Sequence, residues 1–228
     1  MKIEAGGLCA RRVPLAEAQP ALELRGRVFR GGACDRDQFD ARVSHLIVER
    51  AGDVLGAARL AVQKPADVLS GYTAAFYGLE RFARAFPGAL EVGRICLAPG
   101  CTDPDVPRLL LGALAQVVER ERIAILYGCT SFPIDAAPLS RLAGREAPAD
   151  WAPVRRAAET RALTGTLGTM PPLMRAYLGM GAMVSDHAVV DRDLGTVHVF
   201  TALPIAAIPP ARARLLTGMS NGLLTGAD

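Results

Sequence analysis

The sequence predicts an α/β fold of the mixed (α+β) kind, a mainly antiparallel central sheet flanked by helices. Three observations predict it. Segments of strand character alternate with segments of helical period along the whole chain. The stretch HLIVERAGDVLGAARLAV (45–62) holds two apolar runs separated by a Gly-Asp turn, which is a hairpin signature. IAILYGCTSF (123–132) is the most continuous apolar, β-branched run, and it follows a strongly amphipathic segment directly, as a central strand buried on both faces would.

Taken in order, residues 8–13 read as a first strand. In 14–29, Leu15, Ala18, Leu22 and Val28 or Phe29 recur at near-helical spacing after a proline, which predicts a helix in the second half. Gly31, Gly32 and CDRDQFDAR (34–42) form a polar loop before the 45–62 hairpin. Tyr72, Phe76, Leu79, Phe82 and Phe86 predict a helix over 72–86, and LEVGRICL (90–97) a strand. Val106, Leu110, Leu114 and Val117 place one buried stripe on a helix at 108–122. Residues 143–169, rich in Ala, Pro, Gly and Thr, read as a long loop of the kind kept for function. A helix at 171–183 and strands near 187–191 and 196–203 complete one domain over 1–210, with a loose tail at 211–228.

The 228 residues are half hydrophobic and 21% charged, with a mean hydropathy of +0.22, which excludes a disordered chain. A net charge of +3 gives no bulk electrostatic case for nucleic acid. Of the basic residues, only Lys2 and Lys64 are lysines. Five cysteines without a CxxC, and without histidines at ligand spacing, support neither a disulfide framework nor a metal site, and fit a reducing cytoplasm. The charged residues among the first 25 interrupt any signal-peptide core, and no window reads as a transmembrane helix.

Charges stand where a bland core segment would not carry them. Glu91 and Arg94 interrupt an apolar strand; three apart, they point to opposite faces unless a bulge intervenes. A buried glutamate is costly unless partnered. Alone, the pair fits a buried ion pair or a solvated strand end as well as a site. Arg59 in GAARL, Arg25 in LRGRVF, and Asp37 and Asp40 in DRDQFD raise the same question.

In this order, LRGRVF, DRDQFD, GAARL and LEVGR resemble the acyl-homoserine-lactone synthases and their relatives in the GNAT acyltransferase superfamily. HLIVE, AAFYGLERF, LEVGRICLAP, YGCTSF, MPPLMRAYLGMGA and VHVFTALPI resemble one branch more closely, the ornithine–acyl carrier protein N-acyltransferases, over roughly residues 22–212. The resemblance implies a GNAT-like fold that admits the pantetheine arm of an acyl thioester, and an enzyme that moves a fatty acyl group, often 3-hydroxylated, from acyl carrier protein to the α-amine of ornithine. It places Arg25, Phe29, Asp37, Asp40, Arg59, Glu91 and Arg94 around the amine, and Ser131 beside the thioester. The lactone synthases carry a tryptophan soon after the LRxxVF helix, whereas the sole tryptophan here is Trp151, which counts against a quorum-signal synthase. Val43-Ser44 stands where the ornithine enzymes commonly show Cys-Asp. The glycine-rich pyrophosphate loop is missing from 98–107, which favours the single phosphodiester of a carrier protein over coenzyme A.

The chemistry asks for the same groups. An attacking amine must be neutral, and α-amines hold their proton up to about pH 8. Glu91 is the expected base, with Arg94 as its partner. Asp37 and Asp40 are expected to offset an ornithine cation, while Arg94 or Arg59 holds its carboxylate or orients Glu91. Backbone amides at a bulge after Arg94 are the expected oxyanion donors. Tyr72, Phe76, Tyr77, Phe82 and Phe86 suit either an acyl pocket or ordinary helix packing, and Phe76 is singled out for the pocket. No bound cofactor or metal is expected; the donor is the acyl-phosphopantetheine of acyl carrier protein, a partner that Arg108, Arg120, Arg122, Arg141 and Arg145 would steer unless they are only solvated. His45, His187 and His198 read as satisfied structural histidines, and Cys129 has no base to make it a nucleophile. Peripheral contact with the inner membrane is expected through ARARLL (211–216). Another amine acceptor, and a non-catalytic carrier-protein-binding module, are the alternatives.

Overall fold

The computed structural model describes residues 1–135, 137–165 and 168–221. The strands are β1 (Lys2–Ala5), β2 (Leu8–Val13), β3 (Ser44–Arg50), β4 (Asp53–Gln63), β5 (Tyr77–Gly78), β6 (Ala89–Leu97), β7 (Ile125–Pro133), β8 (Val154–Arg155), β9 (Thr160–Ala162), β10 (Met183–Asp191) and β11 (Thr196–Pro204). The helices are α1 (Gln19–Phe29), α2 (Pro65–Val68), α3 (Glu80–Ala85), α4 (Asp105–Arg120), α5 (Pro172–Gly179) and α6 (Pro210–Ser220). They gather into two compact units, one of Met1–Ala61, Val92–Ile123 and the residues from Pro210, the other of Val62–Glu91 and Ala124–Pro209. The expected fold class holds: the ladders are mostly antiparallel and helices flank them.

In the first unit β1, β2, β3 and β4 form successive antiparallel pairs, and the Ala98 amide ties the end of β6 to the Leu55 carbonyl on β4. Register decides which helix covers which face. Ile47 and Ala57 pair across β3–β4 and pack with Ala21 and Leu24 of α1. Val48 and Gly56, one residue along, face the other way, and a Cβ on Gly56 would lie 3.3 Å from Val106 of α4. The stripe read from the sequence is the buried side of α4, with Leu109 and Ala113 added. Residues 211–220, expected in a loose tail, belong to helix α6, which starts at Pro210 and packs on α4; residues 222–228 lie outside the described residues. The approach is close: a Cβ on Gly112 would come within 2.7 Å of the Met219 carbonyl.

In the second unit β7, β11, β10 and β9 are antiparallel neighbours, and Ala89–Glu91 of β6 pair in parallel with Ile125–Tyr127. Nine consecutive register pairs join β7 to β11, so 125–133 is an interior strand as expected, but it is not buried on both faces, since Ser131 and Pro133 are exposed. Tyr127 and Phe200 face a core with Phe82, Leu79 and Trp151; Phe132, Val197 and Val199 face another with Met174 and Leu142.

The expected helix over 72–86 is instead a single turn at Thr73–Ala75, the short strand β5 and the six-residue α3. Two forces override the helical spacing. The Tyr72 and Thr73 amides are drawn to a side-chain carboxylate, and Tyr77 pairs with Arg155 of β8 while its ring sinks into the core. Inside the expected 143–169 loop, of which 166–167 lie outside the described residues, β8 and β9 form. The 171–183 helix stops at Gly179, and Gly181 takes φ 97°, a conformation glycine adopts freely, so that Met183 can start β10.

Candidate active site

The first unit holds a buried ionic cluster built from α1, the loop after it, β4 and β6. Arg25 is fully buried. Its Nε donates to Asp35 at 2.9 Å, its Nη1 to Asp40 at 2.7 Å, and its Nη2 to the Asp35 carbonyl at 2.6 Å. Asp35 is the hub, since its Oδ2 also accepts from Arg94 Nε at 3.0 Å and its Oδ1 from Arg30 Nε at 3.1 Å. Asp40 accepts a second bond from Arg25 and one from the Asp37 amide. Burial alone would raise the Asp40 carboxyl pKa, but the Arg25 hydrogen bond, the Asp37 amide and the Arg59 charge together hold it below the usual carboxylate range. Asp37 differs: its side chain is 25% exposed, and both its oxygens accept from Arg59 Nη1, at 2.8 and 2.6 Å. Arg94 Nη2 lies 3.7 Å from the same carboxylate. Phe29 lies under the Arg94 guanidinium and Phe39 under that of Arg59, at 5.8 and 5.7 Å.

Arg94 reaches this cluster because the strand is irregular where the sequence requires it. Its φ of 51° is left-handed, strained for a residue with a Cβ, and it breaks the alternation of faces along β6.

The second unit holds Glu91 in a different setting. The residue is buried at 7% exposure. Its Oε1 accepts from the Thr73 amide at 2.6 Å, and its Oε2 from the Tyr72 amide at 3.2 Å and from Gln63 Nε2 at 3.4 Å. Gln63 is itself fixed, because its Oε1 accepts from the Tyr127 hydroxyl. Burial, then the Glu91 charge, keep that phenol protonated well beyond its ordinary range. Gly71 completes the seat: a Cβ there would lie 2.7 Å from both Glu91 Oε2 and Gln63 Nε2. Gly71→Ala should therefore displace the carboxylate and lower kcat by about tenfold or more, with the melting temperature changed by only a few degrees; steady-state assays beside thermal melts check both.

One face of β7 opens progressively beside this seat. Tyr127 is buried, Cys129 half-buried and Ser131 exposed, and their cross-strand partners are Ala202, Phe200 and His198. Phe76 is half-buried, its ring edge-on to His198 at 4.8 Å between centroids.

A GNAT acetyltransferase family model matches residues 22–112. An L-ornithine N(alpha)-acyltransferase of Brucella abortus is 32% identical over 85% of this chain and 82% of its own length. The chain belongs to this ornithine acyltransferase family. A second member, from Rhizobium meliloti, is 30% identical over 76% of this chain and 68% of its own, and one from Rhodobacter capsulatus 29% over 91% and 86%. Among solved structures, a CoA-dependent acyl-homoserine lactone synthase superposes with a TM-score of 0.53 at 12% identity, covering 96% of this chain and 97% of the other, so the GNAT-like fold is shared.

As a member of the ornithine acyltransferase family, the protein is an acyltransferase. Of the residues singled out in the sequence, Arg25, Phe29, Asp37, Asp40, Arg59 and Arg94 meet in one cluster of the first unit, while Glu91, Phe76 and Ser131 lie in the second. Glu91 and Arg94 each have partners of their own unit: the Tyr72 and Thr73 amides and Gln63 for one, Asp35 and Asp37 for the other. Sequence reasoning missed Asp35, although DRDQFD contains it, because nothing local separates it from Asp37 and Asp40. Gln63 and Gly71 carry no signal of their own. The histidines are a correction: all three are fully buried, yet both ring nitrogens of His45 and Nε2 of His187 and His198 have no hydrogen-bond partner among the described residues.

Proposed function

We propose that the protein transfers a fatty acyl group, 3-hydroxylated in the preferred donor, from the phosphopantetheine thioester of acyl carrier protein to the α-amine of L-ornithine, giving lyso-ornithine lipid. The observation that carries this reading is Asp37, the accessible acid at the margin of an otherwise closed Arg–Asp cluster, with Arg59 and Arg94 beside it. A basic amino acid brings one carboxylate and a side-chain cation. Arg94 and Arg59 suit the carboxylate, Asp37 the cation, and Phe29 braces Arg94. Arg25, Asp35 and Asp40 are consumed by one another, and the part of Arg25 and Asp40 is to hold the loop that presents Asp37.

In the reaction the α-amine attacks the thioester carbonyl; the N–C bond forms, the C–S bond breaks, and the amine proton leaves with the thiol. Glu91 is our assignment for the group that takes the proton, directly or through a water. Two features support a carrier protein over coenzyme A. The N-terminus of α4, the position at which a helix would cradle a diphosphate, carries Asp103 and Asp105. Its first amide is already taken, since Asp105 N donates to Asp103 at 2.9 Å, while Arg50 binds the other Asp103 oxygen at 2.6 Å. No helix among the described residues is long and apolar enough to cross a membrane, and we place the reaction in the cytoplasm, with α6 as the segment for peripheral contact with the inner membrane.

The test offers purified protein L-ornithine with 3-hydroxyacyl carrier protein or 3-hydroxyacyl-CoA, and scores amide-linked products by mass spectrometry against other amino acids. Acyl-ornithine from the carrier-protein donor is expected. Its absence with both donors overturns the reaction, a better acceptor overturns ornithine, and equal use of coenzyme A overturns the donor.

A further inference from the structure

His198 is a polar group set into an apolar face with half its hydrogen-bonding capacity unused. It is fully buried on β11, beneath Phe76 and beside Tyr77, whose ring centroids lie 4.8 and 5.7 Å away. Its Nδ1 lies 3.3 Å from the Tyr77 hydroxyl oxygen, and that hydroxyl lies 3.0 Å from the His198 carbonyl. Nε2 has no partner among the described residues. A buried nitrogen left unpaired is costly, and buried polar groups in folded proteins are overwhelmingly paired.

The local bonds decide what Nε2 offers. A backbone carbonyl only accepts, so the single Tyr77 proton goes to it at the shorter of the two distances. The Tyr77 oxygen then accepts from Nδ1–H, and Nε2 is left with a bare lone pair. The group that would satisfy it is a donor, such as a hydroxyl; a ketone oxygen or a methylene would not. Burial pushes the imidazole pKa down to about 4, so the ring stays neutral and the lone pair stays available at ordinary pH.

The place fits an acyl group as well as the chemistry does. His198 is directly cross-strand from Ser131, and such neighbours on one face lie about 5 Å apart at Cβ. Ser131 is exposed and His198 is not, so the boundary between solvent and core runs between them. The acyl-transfer reading sets the thioester beside Ser131, whose direct cross-strand neighbour is His198.

We infer that His198 Nε2 accepts a hydrogen bond from a hydroxyl carried on the acyl group a few carbons from the thioester, and that Tyr77 fixes the tautomer that makes it an acceptor. The inference rests on the acyl-transfer reading above, and it names the residues that select the acyl group. His198 is thereby a specificity residue, with Tyr77 positioning it.

The experiment compares three carrier-protein thioesters of equal chain length with ornithine as acceptor: 3-hydroxyacyl, 3-oxoacyl and unsubstituted. The native enzyme should favour the 3-hydroxyacyl donor in kcat/KM by about tenfold or more over each of the others. In His198→Phe, which keeps an aromatic ring, a somewhat larger one, and removes both nitrogens, that ratio should fall to near one. Tyr77→Phe frees the imidazole to adopt either tautomer, so the 3-hydroxy over 3-oxo ratio should fall in that variant too, and it decides the point if His198→Phe does not fold. Equal use of the three donors by the native enzyme, or native ratios in a folded variant, overturns the role of His198 while leaving acyl transfer standing. No turnover of any donor by the native enzyme overturns the acyl-transfer reading and the inference with it.

Discussion

Arg25→Met is expected to cost about 3–5 kcal/mol of folding free energy, because it removes the cation shared by two buried carboxylates and leaves Asp40 with only the Asp37 amide and the Arg59 charge. Arg25 bridges Asp35 and Asp40 with every exposed atom removed from water, and both acids are themselves nearly inaccessible. Methionine fills much of the volume and supplies none of the donors. Against a typical total of about 5–15 kcal/mol, such a loss removes a large share of stability. Urea unfolding of both proteins measures it, and a loss below about 1 kcal/mol would show that the cluster is not closed as described. Acid should act on the same elements. Asp40 has a folded pKa below its unfolded value, so its stabilising share is complete above about pH 4 and drains away as pH falls further. His45 and His198 fail earlier. Burial depresses both, so the unfolded chain takes up their protons first, and stability declines as pH falls below about 6.5. His198, pushed to about 4, contributes up to about 3 kcal/mol to that decline. Unfolding free energy followed from pH 7 to 4 should therefore drop before most carboxylates titrate, and a flat profile above pH 5 would contradict the burial of these rings.

What the sequence made legible follows from which forces are local. The α4 stripe and the β7 run each encode their burial in consecutive residues, so periodicity finds them. The aromatic spacing over 72–86 is equally regular but encodes packing against the Tyr127 and Phe200 face, not one continuous helix. The deciding force there is a carboxylate eighteen residues downstream, which no local pattern contains. Arg59 and Arg94 of the first cluster were visible as charges in apolar strands, and Arg25 as a charge in an apolar helix, since such residues must find partners. Asp35 became distinguishable from Asp37 only through the directions of Arg25, Arg30 and Arg94. His198 was the least legible. Whether a buried imidazole is satisfied depends on which of its two nitrogens a distant tyrosine reaches.

Glu91→Gln is the second large effect expected, and it separates two roles that one residue could fill. As proton acceptor, Glu91 contributes on the order of 10²–10⁴-fold to turnover, and the amide, with almost no basicity, forfeits that. As an anchor, its two oxygens hold the Tyr72 and Thr73 amides; glutamine would turn an NH2 toward one of those N–H groups, donor against donor. Both roles predict a fall of at least about a hundredfold at neutral pH with the fold retained, so the rate alone does not choose. The pH profile does. The substrate amine loses its own proton as pH rises toward and past about 8, and each unit below that value leaves about tenfold less free amine. A variant lacking only the base should therefore recover about tenfold per pH unit until the amine is neutral, while the native enzyme rises less steeply. A variant that has lost the 72–73 turn stays slow at every pH, and Gly71→Ala, which moves the carboxylate without removing it, should share that flat profile. Recovery in Glu91→Gln together with a flat line in Gly71→Ala assigns the proton to Glu91. Flat lines in both make Glu91 a positioning residue, and native turnover in Glu91→Gln removes it from the chemistry altogether.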